Sequence, residues 1–94
     1  SFYTNSIIHS LPKSVLLSEF NYQPLLKRIK ADKTVELERN SISILGASSN
    51  SDTFSNWIAY LEREDFINRV EIIDYGSATT NVSDFSIKII LSNE

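Results

Sequence analysis

Apolar residues recur along this chain with two periods, and the alternation between them outlines the fold. Tyr3, Ile7, Ile8 and Leu11 lie close to one helical face, and Pro12 blocks an ordinary continuation, so a first helix is expected to end near Ser10. From Ser14, the run Val15, Leu16, Leu17 and Phe20 reads as a strand that closes before Pro24, which has no amide to give to a sheet. Ile42 and Ile44 alternate with Ser43 and Leu45 in a second strand, expected to end at Gly46. Phe54, Trp57, Ile58 and Leu61 then fall at i, i+3, i+4 and i+7, the stripe of a helix packed on a core, with Ser51 or Asp52 placed to cap its first turn. Residues 70–75 read as a strand and 76–81 as a loop. Phe85, Ile87, Ile89 and Leu91 alternate with Ser86, Lys88, Ile90 and Ser92, as in a strand with one buried face.

The order helix, strand, strand, helix, strand, strand predicts an α+β fold of ferredoxin-like type. Two helices would cover one face of a four-stranded antiparallel sheet in a two-layer sandwich. No residue-level repeat accompanies the repeated order. The core is expected where Phe54, Trp57, Ile58 and Leu61 meet Phe85, Ile87, Ile89 and Leu91.

Residues 23–40 fit this scheme least well. They hold KRIKADK at 27–33 and TVELERN at 34–40, in which Val35 and Leu37 alternate with Glu36 and Glu38. A short extra strand turning at Arg39 and Asn40 would pair with Ile42 and Ile44 and add an edge to the sheet. Lys27, Arg28, Lys30 and Lys33 would then face Glu36 and Glu38. Val35, Leu37, Lys27 and Arg28 are therefore the expected interaction residues, at an edge where a second copy can pair.

Composition narrows the function. A chain of 94 residues makes one domain, burying about two thirds of its unfolded surface, and 41% hydrophobic with 22% charged residues suits a chain that folds alone. A net charge of -3 argues against a nucleic-acid partner, whose phosphates call for Lys and Arg in excess. With no Cys, disulfides, zinc ribbons and thiol nucleophiles are excluded. No stretch approaches the ~20 apolar residues of a membrane span. The sequence opens at Ser1-Phe2-Tyr3 without Met, as expected of a soluble piece of a longer protein anchored, if at all, through a helix upstream.

Candidate chemistry is sparse. ILGASSNSDTFSNWIAYL at 44–61 runs from strand through Gly46 to helix, but it lacks the lysine and further glycines of a phosphate loop, and Asp52 would repel a phosphate. Its expected role is to turn the chain and cap a helix. His9 is the single histidine and has no partner ligand at metal-binding spacing. Glu62, Glu64 and Asp65, like Glu36 and Glu38, read as solvated acidic surface, and KRIKADK as a solvated loop. Asn81-Val82-Ser83 matches a glycosylation sequon, a pattern frequent by chance. No catalytic residue, cofactor or metal site is expected.

LPKSVLLSEF at 11–20 and ISILGASSNSDTFSNWIAYLEREDFINRVEII at 42–73 together resemble the fimbrial assembly proteins of the PilN type and the related inner-membrane L proteins of type II secretion. The likeness rests on Leu11-Pro12, Val15 to Leu17, Ile44, Gly46, Phe54, Leu61-Glu62, Phe66 and Val70, and it is carried mostly by apolar spacing. The resemblance implies a periplasmic, ferredoxin-like domain behind a single membrane-spanning helix, acting as a scaffold in a pilus or secretion assembly without catalysis. Its expected partners are a second copy or a homologous pilus-assembly subunit. Residues 23–40 are longer than the family's loop, and the family's cytoplasmic segment, which docks an actin-like partner, is not in this sequence. The rival expectation is a ferredoxin-like small-molecule sensor domain, for which only Gly46 and Gly76 could approach a ligand; an enzyme comes third.

Overall fold

A computed structural model describes residues 2–23 and 40–92. The elements follow in the order α1 (Phe2–His9), β1 (Val15–Gln23), β2 (Ser41–Ser48), α2 (Ser51–Glu62), β3 (Ile67–Ser77) and β4 (Ser83–Leu91). The fold is α+β, with one four-stranded antiparallel sheet in the order β1-β2-β4-β3. The expected short strand at Val35 and Leu37 lies outside the described residues.

Helix α1 ends as Pro12 requires: the amides of Ser10 and Leu11 close the last turn on the carbonyls of Ile7 and Ile8. Only Ile7 of its expected stripe is buried; Tyr3 and Ile8 are exposed. In α2 the whole stripe of Phe54, Trp57, Ile58 and Leu61 is buried. These residues join one cluster with Phe85, Ile87, Ile89 and Leu91, the expected core, enlarged by Ile7, Val15, Ile67 and the two isoleucines of β2, Ile42 and Ile44. Register explains the membership, because Ile42 lies opposite Ile89 and Ile44 opposite Ile87, so that the four isoleucines tile one face.

Four expectations need correction. Strand β2 does not end at Gly46 but continues to Ser48, because Gly46 is paired on both sides, with Leu17 and with Phe85. Strand β3 passes through Gly76 to Ser77, which shortens the loop before β4. The cap of α2 is neither Ser51 nor Asp52: Asn50 has extended backbone and its side chain accepts the Thr53 amide at 2.9 Å. The buried Ser48 hydroxyl sets that frame by bonding both the amide and the carbonyl of Asn50. Ile90, read as a solvent-side residue, is only 7% exposed. It lies in a central strand between Ser41 and Arg69, so neighbours flank it on both sides.

Candidate interaction surface

The sheet order leaves β1 and β3 at the two ends, each with one side that no described strand pairs. Both carry bulges, which bend an edge and interrupt its pairing. In β1 the register shifts between Leu17 and Glu19, and the extra residue, Ser18, donates its hydroxyl to the Leu45 carbonyl. In β3 the register shifts twice, between Ile67 and Arg69 and between Ile72 and Asp74. The second shift leaves Ile72 51% and Ile73 62% exposed, an adjacent pair of large aliphatic side chains at the edge.

Which backbone groups of β3 face outward follows from two bonds of β4. The Leu91 amide donates toward β2, to Asn40, and the Ser92 amide donates toward β3, to Phe66. In an antiparallel ladder this direction alternates, so Lys88 and Ile90 address β3 whereas Ile87 and Ile89 address β2. Their partners in β3 divide accordingly: Arg69 and Glu71 bond inward, and Val70 and Ile72 present their N–H and C=O to the free edge. The Val70 amide confirms this assignment, since it donates to the carboxylate of Glu62, the last residue of α2, at 3.4 Å. On the same strand the exposed Arg69 pairs with Glu71 at 2.9 Å.

Most residues considered from the sequence alone do not converge on a site. Lys27, Arg28, Val35 and Leu37, the expected interaction residues, lie outside the described residues. Trp57 is 3% exposed and belongs to the core. Glu62 bonds the Val70 amide rather than joining Glu64 and Asp65 in a cluster, and no group of three or more potential metal ligands occurs among the described residues. His9 is exposed on the rim of an open cleft of about 380 Å³, shared with Phe2, Asn5, Ser6, Ser10 and Tyr60. Gly46 has a structural explanation: a Cβ there would collide with the Leu16 carbonyl and come within 2.8 Å of the Phe85 ring. It is a point of close approach within the sheet, whereas Gly76 has open space around it.

The chain matches no protein-family model, no curated protein and no solved structure. The exposed pair at Ile72 and Ile73 had a signal in the sequence. Two adjacent isoleucines inside Val-Glu-Ile-Ile-Asp break the alternation of a strand with one buried face, and such a break at an edge marks a bulge.

Proposed function

We propose that this chain is a non-enzymatic scaffold or assembly module, a ferredoxin-like periplasmic domain of a pilus or type II secretion-like inner-membrane complex, which pairs with itself or with a homologous subunit. The observation that carries the reading is the free edge of β3, with outward backbone groups at Val70 and Ile72 beside the exposed Ile72 and Ile73. An edge of this kind offers a strand-shaped partner main-chain hydrogen bonds together with apolar contact.

The strand order supports the fold part of the proposal. A β-α-β-β-α-β chain begun at its first helix would run α-β-β-α-β-β with the sheet in the order β1-β2-β4-β3, as found. The resemblance of 11–20 and 42–73 to PilN-type proteins supports the setting. No helix among the described residues is long and apolar enough to cross a membrane, so attachment in this reading falls to a helix preceding the segment. The rival sensor reading loses one of its two candidate glycines, because packing accounts for Gly46.

The test is chemical cross-linking of the full-length protein in membranes of its source organism. Cross-links to a second copy or to a pilus or secretion subunit support the assembly role. Recovery of the protein outside the membrane fraction with neither cross-link overturns it.

A further inference from the structure

We propose that β3 pairs edge to edge with β3 of a second copy, antiparallel and centred on Val70, with Arg69 of each protomer opposite the partner's Glu71 and with Glu62 guarding the edge against this pairing. The inference rests on the assembly reading above and names its surface and register.

Three constraints select the register. Main-chain bonds form only where outward residues of both strands face each other, so the pair at the centre must be drawn from Val70 and Ile72 of the two copies. Centring on Ile72 would carry the ladder through the bulge between Ile72 and Asp74. Placing Val70 opposite the partner's Ile72 would set Glu71 directly against the partner's Glu71, a like-charge pair. The remaining register pairs Val70 with the partner's Val70 and keeps Arg69, Val70 and Glu71 of both strands in the regular run, so that each bulge falls outside the three central pairs. It also closes a square of alternating charge, because Arg69 already holds Glu71 of its own strand and each would meet its opposite across the two-fold axis. The half-exposed Ile72 comes diagonal to the partner's Val70, which covers apolar surface that water contacts in the single copy.

Glu62 gives this edge a guard. Its carboxylate occupies the Val70 amide that the central pair requires. It must withdraw when a second strand arrives, so pairing is in competition with an intramolecular bond.

Sedimentation equilibrium of the wild type and of charge variants at exposed positions decides the matter. Arg69→Glu alone and Glu71→Arg alone should each weaken dimerisation by about tenfold, since symmetry creates two like-charge pairs. The double variant Arg69→Glu/Glu71→Arg should restore it, because the square keeps its alternation. Glu62→Ala should tighten it. Self-association indifferent to the single reversals, or a double variant weaker than either, overturns the register while leaving the assembly role intact. A wild-type chain that stays monomeric overturns the inference too, and the assembly role then stands or falls on the membrane cross-links.

Discussion

The indole N–H of Trp57 donates to the hydroxyl oxygen of Ser10 at 2.9 Å, and that hydroxyl donates in turn to the Ile7 carbonyl at 2.6 Å. One small side chain thus links the middle of α2 to the end of α1. It satisfies the only polar group of a residue otherwise enclosed by Phe54 and Phe85. Ser10→Ala leaves the indole N–H without its acceptor and should cost about 1–3 kcal/mol. Against a Trp57→Phe background, the same change should cost markedly less, which a double-mutant cycle in denaturant reads directly. Equal costs in both backgrounds would show that the bond contributes nothing.

Gly46 holds a second point where one atom decides the packing. The Leu16 carbonyl and the Phe85 ring both occupy the space a Cβ would need, so Gly46→Ala should destabilise by about 1–3 kcal/mol through overpacking. Shrinking the ring with Phe85→Leu should relieve only part of this, since the carbonyl belongs to the backbone of β1 and cannot move without disturbing the β1–β2 ladder. Full rescue by Phe85→Leu would place the conflict on the ring alone. Urea midpoints of the two single variants and the double variant distinguish these outcomes.

The cap of α2 gives a prediction that separates three neighbours in sequence. Asn50→Ala removes the acceptor of the Thr53 amide and should cost about 0.5–2 kcal/mol. Asp52→Ala should cost less, about 0.3–1 kcal/mol, because the carboxylate in the first turn acts only through the helix dipole. Ser51→Ala, at an exposed position, should leave the thermal midpoint nearly unchanged. A larger loss at Asp52 than at Asn50 would return the cap to the position the sequence suggests.

Legibility in the sequence followed the range of the interaction. The α2 stripe and the alternation of β4 are local periods, so Phe54, Trp57, Ile58, Leu61, Phe85, Ile87, Ile89 and Leu91 could all be assigned to the core before any contact was known, and all are buried. In Asn50-Ser51-Asp52 each residue can cap a helix. The choice falls to the Ser48 hydroxyl, which holds Asn50 from the end of β2. The bond between Trp57 and Ser10 spans 47 residues, and no period connects them. The candidate surface was legible least of all, because exposure of Ile72 and Ile73 depends on which strand lies at the edge and where its register slips. Alternation is visible instead at Val35 and Leu37, which lie outside the described residues.

Helix α1 should be the least protected of the described elements. It has eight residues and buries only Ile7 fully, and a helix so short draws its stability from what it packs against. Beyond Ile7 and the Ser10 bond, its first turn is held by aromatic contact: Tyr3 stacks on Phe66 with ring centres 4.7 Å apart, and Phe2 meets the same ring edge-on at 6.0 Å. Phe66 sits in the turn between α2 and β3, so it ties α1 to that connection. Each such ring pair contributes about 0.5–1.5 kcal/mol beyond the area it covers. Amide hydrogen exchange should therefore be faster in α1 than in β2 and β4. Phe66→Ala should raise exchange in α1 by about tenfold or more, the sum of two such pairs, while β2 and β4 exchange far less affected. If protection in β2 and β4 instead falls in step with that of α1, the helix unfolds only with the whole domain, and the aromatic contact is part of the global core.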